Sequence, residues 1–291
     1  MKKVIISIIV FTLVCVGFSL AQDALTMHDL NHDAAAYNSA FIAEVGNPLN
    51  AMVTTSLGGN VQNTSKVNLL AYANFEKPGF GVGLKLNSKF YGLFNTNTIE
   101  FLYAKRLQVN TDQAIYLGLN FGMHTSALDM GRLNVYVNFE DPFLMENELP
   151  QQRLTAGLGM VYTYKNNTKF GLSLPSFVKN KNDFFPVYVM NLSHEIQPVM
   201  AVDYKITPLV MVYGSPLEAA TMDASLQVTY QDSFWLRGGV RSTKGVIFGL
   251  GWQQKVISIG YTYNASWGLY TEVNPGVHSL NVIYRSKPKK M

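Results

Sequence analysis

From Phe80 onward the chain alternates: Phe80, Val82, Leu84 and Leu86 share one face, while Gly81, Gly83, Lys85 and Asn87 share the other. A period of two is what a strand shows when one face meets an apolar medium and the other a polar or crowded one. The same rhythm runs through 115–124, where Leu117, Leu119, Phe121 and Met123 alternate with Tyr116, Gly118, Asn120, Gly122 and His124. It returns over 154–164 and again over 257–264, where Ile257, Ile259, Tyr261 and Tyr263 face away from Ser258, Gly260, Thr262 and Asn264. None of these stretches has helical spacing. Fourteen such segments are predicted, at 51–59, 66–75, 80–88, 98–107, 114–124, 154–164, 169–175, 187–196, 199–214, 223–230, 234–241, 245–252, 255–264 and 278–285. Many approach the ~9 to 11 residues that a tilted membrane strand needs.

Alternation by itself also fits a soluble sandwich, so the connections have to decide. Those at 76–79, 108–113, 165–168, 197–198, 231–233 and 253–254 are tight. The interleaved ones at 89–97, 176–186, 215–222 and 265–277 are longer, and one runs from Thr125 to Arg153. Short periplasmic turns alternating with longer outer loops mark an outer-membrane barrel, and an even strand number returns both ends to the periplasm. Tyr103, Tyr162, Tyr164, Trp252, Tyr261, Tyr263 and Tyr284 are placed to form an interfacial girdle. The predicted fold is all-β, a transmembrane antiparallel barrel of about fourteen strands.

Composition agrees with a membrane wall. Apolar residues make up 48% of the chain and charged ones only 14%, against about 25% charged in soluble domains. Beyond the first twenty-odd residues no run reaches the ~18 apolar residues of a membrane helix. The start, MKKVIISIIVFTLVCVGFSLAQ, sets two lysines before an apolar stretch and ends on Ser19-Leu20-Ala21, the form of an export signal cut after Ala21. The expected organisation is a signal peptide at 1–21, a periplasmic N-terminal segment at 22–50, the barrel at 51–285 and a tail at 286–291. Removing Lys2 and Lys3 takes the formal charge from +4 to +2, which leaves no basic field to hold nucleic acid. The single cysteine, Cys15, lies within the signal, so the exported chain has no disulfide and no thiolate metal site.

Candidate chemistry is sparse. His28 and His32 stand four apart beside Asp29 and Asp33, but the glutamate of a zinc-hydrolase helix is missing. His278 and Ser279 point to opposite faces of one strand and cannot form a dyad. The acidic loop Phe139 to Glu148 lacks the spaced oxygen ligands of a calcium loop. No catalytic, cofactor or metal residues are assigned, and the chain is not read as an enzyme. Charges inside the strands are more informative, since a charge on the lipid face is costly. Lys85, Glu100, Arg106, Arg237 and Arg241 all fall opposite the apolar face and are expected to line the lumen or rim, where they gate or pair. Arg237 and Arg241 share one face and predict a basic patch near the outer rim.

The second half carries a resemblance. FGLSLPSFVKN (170–180), ITPLVMVYGSPLEA (206–219), SFWLRGGVRSTKGVIFGLGWQ (233–253) and SIGYTYNASWGLYTEVNPGVHSLNVIYR (258–285), in this order and spacing, resemble the PorP/SprF family of type IX secretion and gliding-motility proteins. Gly276, His278 and Leu280 form its most recognisable point. Near the N-terminus, Ala34 to Gly46 stands where the family has an Asn-Pro-Ala-Tyr-Ala-Gly-like stretch, here without the proline. The resemblance implies an outer-membrane barrel in contact with lipid. It further implies one that docks periplasmic ring components of the secretion machinery or assists the delivery and attachment of a surface adhesin. The alternatives from the residues alone are a passive channel or hydrophobic-substrate transporter, and an outer-membrane phospholipase.

Overall fold

The computed structural model describes residues 34–44, 48–58, 64–75, 79–91, 94–128, 151–175, 187–199, 201–214, 220–243, 245–266 and 276–286. Within them the chain forms β1 (Leu49–Gly58), β2 (Thr64–Phe75), β3 (Phe80–Tyr91), β4 (Phe94–Gln108), β5 (Gln113–Leu128), β6 (Gln151–Tyr164) and β7 (Thr168–Leu174). The second half adds β8 (Tyr188–His194), β9 (Tyr204–Gly214), β10 (Thr221–Tyr230), β11 (Phe234–Arg241), β12 (Gly245–Gln253), β13 (Ile257–Ser266) and β14 (Val277–Arg285). Each strand pairs antiparallel with its sequence neighbours, and β1 closes on β14 from Asn50 opposite Arg285 to Gly58 opposite Val277. Closure leaves no sheet edge, and that is what lets a sheet stand in hydrocarbon, where nothing else satisfies backbone N–H and C=O groups.

The faces are inverted relative to a soluble protein. Exposed side chains are large and apolar, such as Leu57, Phe101, Leu119, Phe121, Leu154, Leu236 and Leu250, while Thr54, Ser56, Asn68, Asn120, Thr262, Ser279 and Asn281 are buried on the inside. Inner hydroxyls and amides bond across strands, as Thr54 Oγ1 to Asn281 Oδ1 at 2.5 Å and Ser56 Oγ with Ser279 Oγ at 2.9 Å. On β13 and β14 the outer face carries Tyr261 and Tyr263, which pack against His278, with Tyr261 Oη and His278 Nδ1 2.6 Å apart.

The tight connections cluster at one end with Leu49 and Arg285. Two of them are true hairpin turns with positive φ at both central residues: Lys165 (51°) and Asn166 (56°), and Gln231 (49°) and Asp232 (52°). Such turns match the right-handed twist of the strands they join.

Several boundaries differ from the expectation. The loop expected at 89–97 is largely strand, because Lys89 pairs with Thr96 and Phe90 with Asn95. Similarly, β5 runs on to Leu128. Alternation is lost over Asn95, Thr96 and Asn97, although the backbone ladder continues. The turn expected at 197–198 is longer, since β9 starts at Tyr204 rather than Val199. Here Ala201 N–H bonds the Pro198 carbonyl and Tyr204 N–H the Ala201 carbonyl, folding the apolar Val199 and Val202 into a turn. Finally, β1 begins at Leu49, and residues 34–43 of the expected periplasmic segment pack inside the barrel. The expected signal peptide, His28, His32 and the acidic loop 139–148 lie outside the described residues.

A charge on the outer face should cost according to depth. Leu250→Arg, in the middle of β12, is expected to destabilise the vesicle-inserted barrel by about 2–4 kcal/mol, and Leu107→Arg, beside a short turn, by about 0–1 kcal/mol. Denaturant unfolding from lipid vesicles checks the contrast.

Candidate functional site in the barrel lumen

Ahead of β1, a four-residue helix α1 (Ala34–Tyr37) runs into a 3-10 turn (Ser39–Ala43). Alone, so short a helix would not persist in water. The inner wall holds it instead. Ala40, Phe41, Ile42 and Ala43 are buried in one cluster with Leu70, Leu102, Ala104, Ala114, Tyr116 and Val161 of β2, β4, β5 and β6. Tyr37 is buried with Val189, Leu209, Met211 and Tyr213 of β8 and β9.

Polar contacts set the orientation. Asn38 Oδ1 accepts from Ala40 N–H at 3.1 Å, while Asn38 Nδ2 donates to the carbonyls of Met160 (3.1 Å) and Leu172 (3.4 Å) on β6 and β7. Lys85 Nζ donates to the Ala36 carbonyl at 3.0 Å. At the short-turn rim, Asn74 Nδ2 donates to the Glu44 carbonyl, and the Glu44 carboxylate pairs with Lys169. The wall is cut to receive this segment: a Cβ on Gly118 would overlap the Ala40 amide nitrogen, and one on Gly159 would overlap Asn38 Oδ1.

Lys85 and Glu100 face each other across β3 and β4, form a buried ion pair, and Asn120 Nδ2 adds a hydrogen bond to Glu100 at 2.6 Å. Arg106 also lies on the inner side, near the short turns, and reaches Gln108 Oε1 at 2.5 Å. Across the lumen, Arg237 donates to Gln227 Oε1 at 2.9 Å and lies over the Trp235 ring. Arg241 grips Asp223 through two 2.8 Å bonds. The basic patch expected from Arg237 and Arg241 is therefore neutralised at Arg241, because Asp223 stands opposite it in the β10–β11 register. Asp223, Gln227, Asn120 and the whole plug from Ala34 to Glu44 escaped the reading of the residues. Asp223 and Gln227 were legible in principle, since residues equidistant from a hairpin's centre face each other.

Residues 37–284 match the family described as type IX secretion system membrane protein PorP/SprF. The chain belongs to that family. It is an outer-membrane protein, and the solved structures it resembles share its architecture. The CymD monoaromatic hydrocarbon channel aligns over 89% of this chain and 94% of its own at 11% identity with a TM-score of 0.56. The deltaS2S3 mutant of the TodX monoaromatic hydrocarbon channel aligns over 86% and 93% at 12% identity and 0.51. Omp33 of Acinetobacter baumannii aligns over 82% and 98% at 6% identity and 0.51. At such identities the likeness is one of fold. No curated protein sequence matches the chain.

The remaining histidines of this PorP/SprF barrel are spoken for by strand neighbours. His124 Nδ1 lies 2.9 Å from Thr98 Oγ1, and His194 Nδ1 2.8 Å from Thr168 Oγ1. His278 sits outside while Ser279 is buried inside. Among the described residues no three His, Cys, Asp or Glu side chains gather as metal ligands.

Breaking the Lys85–Glu100 pair from one side leaves a buried charge without its partner. Lys85→Met is expected to destabilise the barrel by about 3–5 kcal/mol, and the double variant Lys85→Met/Glu100→Gln by much less. Denaturant unfolding of the intact barrel, each single variant and the double variant measures the coupling.

Proposed function

We propose that this barrel is a non-enzymatic docking and assembly component of the secretion machinery, holding periplasmic ring components at its short-turn end. One observation carries the reading: the chain's own 3-10 turn packs along the inner wall from β2 to β6, so part of the interior holds protein. Family membership supplies the machinery. The short-turn end also offers a contact surface, since Val199 and Val202 are 93% and 69% exposed in the turn between β8 and β9. Beside them Lys205 pairs with Glu195 and Asp232. An apolar tip rimmed by charges suits a protein partner. Assistance to a surface adhesin is the companion role, exerted from the opposite end.

A tagged copy purified from gently solubilised outer membranes should bring ring components with it, identified by mass spectrometry. Val199→Glu/Val202→Glu should reduce their recovery several-fold while leaving the barrel in the membrane. Recovery of a large adhesin without ring proteins would move the function to surface delivery; the barrel repeatedly recovered alone would refute docking. Residues 1–21 are proposed to be removed on export, and N-terminal sequencing of the same preparation should begin at Gln22.

A further inference from the structure

We propose that residues 34–44 are a releasable plug, latched at the short-turn rim by Glu44 and Lys169, and that unseating it lets the barrel conduct small hydrated ions. The inference is independent of the docking reading and starts from how the segment is attached.

The fourteen-strand ladder closes without it: β1 pairs with β14 and β2, and neither α1 nor the 3-10 turn contributes a strand. Removing the segment therefore breaks no hydrogen bond of the wall. Its polar attachments run through side chains and include Lys85 to the Ala36 carbonyl, Asn38 to the carbonyls of Met160 and Leu172, Asn74 to the Glu44 carbonyl, and the Glu44–Lys169 ion pair. The apolar seat holds Ala40 and Ile42 fully buried, so the plugged state is the resting one. What lies beside that seat is suited to water. Glu100 keeps Lys85 and Asn120 as partners when the plug leaves, because all three belong to the wall, and Thr163 is another inward polar group.

The latch differs from the seat in its environment. Its side chains are 32% and 29% exposed, whereas the Lys85 and Glu100 side chains are 10% and 2% exposed. Solvent and salt reach the rim pair first, and an exposed ion pair is the contact that screening weakens.

Single-channel recording of the purified full-length barrel in planar bilayers tests this, with heat-modifiable gel mobility reporting that each variant is folded. The intact barrel should be mostly silent. Glu44→Lys and Lys169→Glu should each raise open probability about tenfold by destabilising the closed state, and the double swap should return it toward the resting level. Gly118→Ala should act like the single reversals without changing any charge, since its Cβ collides with the Ala40 amide. Gly238→Ala, where an added Cβ meets nothing, should leave the traces unchanged. Folded single reversals and Gly118→Ala as silent as the intact protein would overturn the proposal. So would steady conductance in the intact barrel that none of these changes alters.

Discussion

Everything in this molecule depends on the backbone having no alternative partner in hydrocarbon. Water is absent from the bilayer core, so each amide and carbonyl must find its bond within the chain, and a sheet does this only by closing. Closure explains why β1 reaches across to β14 and why Ser286 N–H still bonds the Leu49 carbonyl beside the closing pair. It also divides every strand into a lipid face and a lumen face. The strict period of two, with Leu, Val and aromatic residues outward and Thr, Ser, Asn and Gly inward, is the imprint of that division on the chain.

A closed wall encloses an interior, and here part of it is filled by protein. Part of the filling is side chain on side chain, in polar pairs such as Thr54 with Asn281 and charged ones such as Asp223 with Arg241. Another part is the segment Ala34 to Glu44, whose 3-10 turn lies along β2 to β6. Two of the inward charges are matched by opposite ones: Lys85 answers Glu100, and Arg241 answers Asp223. Such pairs hold strand register and plug position together, because Lys85 bonds both Glu100 and the Ala36 carbonyl.

Much of the wall was legible beforehand. For β11, 234–241 was read and found without change, and β12 and β14 moved by one residue, because mid-membrane alternation is strong and the turns are short. Legibility failed where the two faces stop differing. At the far ends of β3, β4 and β5 the apolar alternation is lost while the ladder continues, so Asn95, Asn97 and Thr125 read as loop. At Val199 and Val202 the opposite error arose, since apolar residues in a turn imitate a strand.

Inside the lumen the balance shifts. The sequence by itself determined a barrel of about fourteen strands, its lipid and lumen faces, and the side on which Lys85, Glu100, Arg106, Arg237 and Arg241 lie, because each follows from local alternation and the cost of charge in lipid. Only the tertiary structure decided that Asp223 neutralises Arg241, that Asn120 completes the Lys85–Glu100 pair, and that Ala34 to Glu44 folds into the lumen. That segment has no periodicity of its own to announce it. Its place is set by wall residues far off in sequence, from Lys85, 49 residues from Ala36, to Lys169, 125 residues from Glu44, with Gly118 and Gly159 between them, and such contacts exist only after the wall has closed.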